Sequence, residues 1–176
     1  GHLAPDLLVG GDAAVKRPYR MALSQLWAAG IGWAAVLPPV VRATAEEQRF
    51  VRHQLGTGLS SGESTSRGRL FEAISALAGV CHEVSYEGQA AIELEALGTP
   101  DADGSYAFGL IEGDGALVID PTPVVTAVAA DVRAGVPASV ISTRFHRALA
   151  QTVVLTAEVM RRRYHVETAA LSGGVF

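Results

Sequence analysis

The chain closes with Ser172-Gly173-Gly174-Val175-Phe176, directly after Thr168-Ala169-Ala170-Leu171, a β-branched and aliphatic run that predicts a buried strand. A strand opening into a Gly-Gly turn can bring backbone N–H groups close to a bound nucleotide. A helix or another strand ordinarily follows such a turn. The segment is therefore expected to be part of a site completed by residues beyond Phe176, in a larger protein. On this reading Val166, Ala169, Ala170, Leu171, Val175 and Phe176 would be left uncovered, and the isolated chain is expected to self-associate.

A chain of 176 residues can build one domain, or two small lobes, with a real core. It is 49% apolar but only 6% aromatic, so Ala, Leu and Val must fill that core. The net charge of −4, with no long basic run, argues against a nucleic-acid partner or an anionic membrane surface. Cys81 is the single cysteine, which rules out an intrachain disulfide and fits a reducing, cytoplasmic setting. The longest apolar stretch, Ala28–Val41, is broken by Gly30, Gly32, Pro38 and Pro39 and is too short to span a bilayer.

Glycine and proline punctuate a series of helices. Pro18 suits the first turn of a helix reaching about Ala29, with Gly30 as its stop. Thr44-Ala45-Glu46-Glu47 is a capping box for a helix to about Leu55, followed by a glycine and serine loop over Gly56–Glu63. Thr65 or Ser66 should cap a third helix with the stripe Leu70, Phe71, Ile74, Leu77 and Ala78. Gly88–Ala96 reads as a shorter helix. Tyr106–Ile111 and Ala116–Ile119 read as hairpin strands around Glu112-Gly113-Asp114-Gly115. Pro121–Ala134 and a long stretch from Pro137 to about Arg163 complete the helices. The pattern predicts an α/β chain, rich in helix and with too few strands for a complete sheet.

Several constellations carry possible chemistry. Cys81-His82-Glu83 gathers metal-ligand types, but adjacent side chains point in different directions, so a structural role is favoured over chelation. No two of His2, His53, His82, His146 and His165 have the i,i+4 spacing of a helical metal pair. His146, inside Arg144-Phe145-His146-Arg147, is better explained as a packed helix histidine than as a catalytic one. Gly68 at a helix start allows close backbone approach, and Glu72 one turn on could accept hydrogen bonds from ribose hydroxyls; a solvated helix glutamate is the plainer explanation. Gly88 within Tyr86-Glu87-Gly88-Gln89, and Asp12 after Gly10-Gly11, could each serve only a turn. No catalytic residue is assigned.

Read together, these segments resemble the HypF carbamoyltransferases, which mature [NiFe] hydrogenases. The resemblance rests on Gly10-Gly11-Asp12-Ala13-Ala14, Arg20-Met21-Ala22-Leu23, Thr65–Ala73, Val84–Glu95, Arg144–Leu149 and Ala170–Phe176, in that order along nearly the whole chain. It implies that residues 1–176 are part of the C-terminal carbamoyltransfer domain, with an actin-like ATPase fold akin to the tRNA threonylcarbamoyladenosine-forming transferases. It implies that the full-length parent forms carbamoyl-adenylate from carbamoyl phosphate and ATP. The carbamoyl group then passes to the C-terminal cysteine of HypE, as precursor of the hydrogenase cyanide ligand. By the same resemblance Glu72 faces the nucleotide ribose, Gly88 lies where backbone approaches the nucleotide, and Gly173 and Gly174 begin the adenosine loop. Position 72 is usually Asp in the family, and Arg67 replaces a usually small residue. Zinc or iron, and magnesium, belong to the parent, with metal ligands expected outside this chain. The isolated chain is accordingly expected to be inactive. An O-carbamoyltransferase of antibiotic biosynthesis and a non-catalytic nucleotide-binding or structural lobe are the alternatives.

Overall fold

A computed structural model describes residues 2–9, 16–58, 61–112 and 116–170. Among the described residues there are five strands: β1 (His2–Leu3), β2 (Asp6–Val9), β3 (Ser61–Ser64), β4 (Gly109–Glu112) and β5 (Leu117–Asp120). The described residues also form seven helices: α1 (Pro18–Ala28), α2 (Pro38–Arg42), α3 (Ala45–Thr57), α4 (Arg67–Leu77), α5 (Gln89–Ala96), α6 (Thr122–Arg133) and α7 (Ala138–Tyr164). The strands form two small sheets. One has the order β1-β5-β4, with β1 parallel and β4 antiparallel to β5, and the other is the antiparallel pair β2-β3.

Helix ends follow local chemistry. Pro18 occupies the first turn of α1. The Thr44 hydroxyl accepts from Glu47 N at 3.2 Å, and Thr44 N donates back to Glu47 Oε2 at 3.1 Å, closing the capping box of α3. That helix runs two residues past Leu55 and stops at Gly58, whose φ of +69° is left-handed backbone that glycine adopts without strain.

The core lies mainly between α1 and α4. Met21, Leu23 and Leu26 of α1 and Ile74 and Leu77 of α4 are almost completely buried. Each such side chain contributes roughly 1.5–3 kcal/mol of burial free energy. Phe71 and Phe145 meet edge to face at 5.0 Å between ring centres, joining α4 to α7. None of the described helices is long and apolar enough to cross a membrane.

Three expectations are corrected. The Gly56–Glu63 loop instead contains the end of α3 and strand β3, which pairs with β2 from Asp6↔Ser64 to Val9↔Ser61. Ser and Gly have little strand propensity, so a distant partner, not local preference, makes this strand. The strand expected from Tyr106 begins only at Gly109. Residues before it are tied to α7 instead: Thr99 N donates to Thr143 Oγ1 at 2.9 Å, Arg144 Nε to Asp103 O at 2.9 Å, and Arg147 Nη2 to Pro100 O at 2.7 Å. Finally, residues 168–170, expected in a buried strand, are exposed and unpaired with any strand. α7 ends at Tyr164, capped by His165 in left-handed backbone (φ +54°), and the short apolar run beyond it meets no sheet edge among the described residues.

Candidate functional site: an acidic cleft between α4, α5 and α7

An open cleft of about 660 Å³ lies where α4, α5 and α7 converge. Arg69, Phe71 and Glu72 come to it from α4, Gly88 from the start of α5 and Glu87 from the turn before it, and His146 from α7. The sequence candidates Gly68, Glu72, Gly88 and His146 therefore share one wall-lined space although they are up to 78 residues apart (146 − 68).

The α5 turn is held by one side chain. Gln89 Oε1 accepts from Ser85 N at 2.8 Å and from Ser85 Oγ at 3.1 Å, while its Nε2 donates to Glu93 Oε1 at 2.7 Å. This closes the turn Tyr86-Glu87-Gly88 and leaves Gly88 at φ +81°, where it also precedes the first turn of α5. A Cβ there would meet only the end of Ile92, at 4.0 Å, so the backbone faces open space.

Glu72 is not the solvated helix residue its position suggested. Its side chain is only 13% exposed, and Arg69 Nη1 donates to both of its oxygens, at 2.8 and 2.7 Å. Burial raises its pKa; the Arg69 cation opposes this, and the negative charge of Glu87 across the cleft adds to it. A carboxylate carries about four lone-pair positions, so the bonds from Arg69 leave acceptors for a ligand hydroxyl. The cleft can thus receive a ligand that offers hydrogen-bond donors to Glu72 and an apolar face to Phe71 and Ile92.

His146 Nδ1 lies 2.8 Å from Ser142 O, and the ring sits against Phe71 at 5.6 Å and Phe145 at 5.7 Å between centres. It is packed, as the sequence favoured, and it also borders the cleft. Glu87 was missed as a site residue. Its signal was its place beside Gly88, since a residue preceding a left-handed glycine at a helix start is carried toward whatever that turn faces.

Cys81-His82-Glu83 does not converge. Cys81 Sγ donates to Glu83 O at 3.3 Å, Glu83 pairs with Arg42, and burial followed by the Arg42 charge lowers the pKa of His82. Among the described residues no three His, Cys, Asp or Glu side chains could hold a metal ion together. The described residues therefore do not fit a metal. Gly10, Gly11, Asp12, Gly173 and Gly174 lie outside the described residues, as does the side chain of Arg67.

A family model described as "Carbamoyltransferase, Kae1-like Domain, second subdomain" matches residues 1–176. Carbamoyltransferase HypF of Rhodobacter capsulatus is 36% identical over 177 residues, covering 99% of this chain and 22% of its own length. Carbamoyltransferase HypF of Synechocystis sp. is 30% identical over 190 residues, covering 99% and 24%. The crystal structure of full-length HypF in the phosphate- and nucleotide-bound form superposes with a TM-score of 0.90 at 29% identity, covering 99% of this chain and 22% of that one. That of T. kodakarensis HypF gives 0.75 at 25%, covering 99% and 24%. The fold is that of a mixed α/β unit of a carbamoyltransferase domain. The chain belongs to the HypF carbamoyltransferase family, and it spans about a quarter of the length of the curated relatives named here.

Proposed function

We propose that this chain supplies one wall of a nucleotide site in a full-length HypF-type carbamoyltransferase whose C-terminal domain has the actin-like ATPase fold. The observation that carries this reading is Glu72, a mostly buried carboxylate with spare acceptor capacity, facing an open cleft beside the left-handed Gly88. A full-length HypF structure with a TM-score of 0.90 to this chain is described as phosphate- and nucleotide-bound, which supports the same reading.

In the proposed reaction water splits carbamoyl phosphate in the parent into carbamate and inorganic phosphate, and a carbamate oxygen attacks the α-phosphorus of ATP and displaces pyrophosphate to give carbamoyl-adenylate. The thiolate of the C-terminal cysteine of HypE attacks the carbamoyl carbon. A C–S bond forms, the bond from that carbon to the phosphate oxygen breaks, and AMP leaves with the electron pair. The thiol proton passes to solvent or a base. The product thiocarboxamide would serve cyanide-ligand synthesis for [NiFe] hydrogenase, in the cytoplasm. Zinc or iron, and magnesium, are proposed for other parts of the parent.

The residues of this chain bind and orient. Glu72 accepts from ribose hydroxyls, Arg69 keeps the carboxylate aimed at them, Gly88 lets the ligand approach backbone, and Phe71 and Ile92 exclude water from one face. Gly173 and Gly174 are proposed to begin the loop against the adenosine. By this reading the isolated chain binds nucleotide weakly and transfers no carbamoyl group.

Titration calorimetry of ATP with the full-length protein tests the proposal. Glu72→Ala should weaken binding about ten- to a hundredfold, as expected for losing a hydrogen bond to a charged acceptor. Unchanged affinity, with the variant folded, would return Glu72 to a structural role.

A further inference from the structure

The cleft holds one polar ring atom without a task in the folded chain. Ser142 O can only accept, so the 2.8 Å contact fixes the proton of neutral His146 on Nδ1. Ser142 Oγ, 3.3 Å from the same nitrogen, donates to Leu94 O at 2.5 Å and can accept from Nδ1–H as well. Nε2 is thereby left as a lone-pair acceptor. It has no partner among the described residues and is not among the enclosed polar atoms. Phe71 and Phe145, each less than 6 Å away between ring centres, restrict the ring plane. His146 thus borders the cleft with one ring nitrogen held by the chain and the other left to accept.

We propose that His146 is a ligand-contacting residue whose Nε2 accepts a hydrogen bond from one N–H or O–H donor of the nucleoside held in the cleft. The inference rests on the nucleotide reading given above. The chemistry of the walls agrees with it: Glu72, Glu87 and Glu95 are acceptors too, and the Arg69 cation is already committed to Glu72. Such a site selects a ligand rich in donors at this end. The donor is a ribose hydroxyl or the adenine amino group.

Two conservative substitutions separate ligand contact from packing. In His146→Asn the short amide can still donate to Ser142 O but does not reach the position of Nε2. In His146→Gln the longer amide offers an oxygen near that position but gives up the bond to Ser142. The inference predicts that, in the full-length protein, His146→Asn weakens ATP binding about three- to tenfold while the protein remains folded at the titration temperature, and that His146→Gln restores much of the affinity. ATP analogues then locate the donor. 2′-Deoxy-ATP, 3′-deoxy-ATP and purine riboside triphosphate are titrated against wild type and His146→Asn. The analogue lacking the relevant donor should bind wild type about three- to tenfold more weakly than ATP does, and that penalty should shrink in the Asn variant.

Equal ATP affinity in wild type and His146→Asn, while Glu72→Ala still weakens binding, would overturn the role of His146 alone. Equal affinity in all three proteins would overturn the nucleotide reading with it. A loss in His146→Gln that exceeds the loss in His146→Asn would also overturn the inference, because it would mean that the bond to Ser142 matters and the acceptor does not.

Discussion

Arg69 Nη1 donates to both carboxylate oxygens of Glu72, at 2.8 and 2.7 Å, one helical turn apart on α4. The pair does not cancel the effect of burial, and the pKa of Glu72 remains raised above its ordinary value of 4.5. A carboxyl group whose folded-state pKa is raised contributes stability below the unfolded value. That contribution is lost as pH rises through the folded value. Wild type should therefore lose stability relative to Glu72→Gln as pH rises above the ordinary carboxylate value of 4.5. Urea unfolding at several pH values checks this, and a wild type that instead gains on the variant over the same range would contradict it.

Glu47 carries the opposite sign. It accepts from Tyr19 Oη at 2.6 Å, Thr44 N at 3.1 Å and Arg20 Nη2 at 3.2 Å. The Tyr19 bond is the largest cause of a pKa lowered from 4.5 to about 2, against the effect of burial. A depressed carboxylate contributes stability above its unfolded value, lost as pH falls toward the folded one. Wild type should lose on the order of 2 kcal/mol between pH 4.5 and 2 that Glu47→Gln, already lacking the charge, does not lose. Tyr19→Phe should shrink the same acid-linked loss. Parallel acid-unfolding curves for wild type and Glu47→Gln would refute the assignment.

Much of the helical framework was legible because its signals are local. Pro18, the Thr44–Glu47 box and the glycines at 30, 79 and 135 mark helix boundaries by backbone chemistry within a few residues, whereas α3 runs past the expected stop near Gly56 to Gly58. β2 and β3 were not legible, because Asp6–Val9 finds its partner more than fifty residues away and Ser61–Ser64 has no strand-like composition. The strap over residues 99–106 was equally hidden, since it depends on Arg144 and Arg147 reaching back from α7. At the cleft, sequence supplied Glu72 and Gly88 through resemblance. It could not show that Arg69 spends its charge on Glu72, or that the fold brings His146 from α7 to the same space.

Gly88 and Gly68 should respond oppositely to alanine. Gly88 sits at φ +81°, so Gly88→Ala should cost roughly 1 kcal/mol of stability. Gly68 lies within α4, and a Cβ there would touch only Ser66 Oγ at an ordinary 3.5 Å. Gly68→Ala should be neutral or stabilising by up to about 1 kcal/mol. Thermal unfolding distinguishes them, and equal destabilisation by both would contradict the left-handed assignment at Gly88.

Cys81 should be a poor nucleophile. It is 4% exposed, and burial, followed by the nearby charge of Glu93, pushes its thiol up to about 11. Iodoacetamide at pH 8 should label it slowly in the folded protein and readily in urea. Rapid labelling under native conditions would show that the thiol is open to solvent.

The central claim is that the cleft between α4, α5 and α7 receives a nucleotide. A crystal structure of the full-length protein with a non-hydrolysable ATP analogue tests it most directly. The account predicts the ribose within hydrogen-bonding distance, about 3 Å, of Glu72, with backbone at Gly88 against the ligand. A well-ordered nucleotide bound elsewhere, with Glu72 still held only by Arg69 and the cleft filled by solvent, would contradict it.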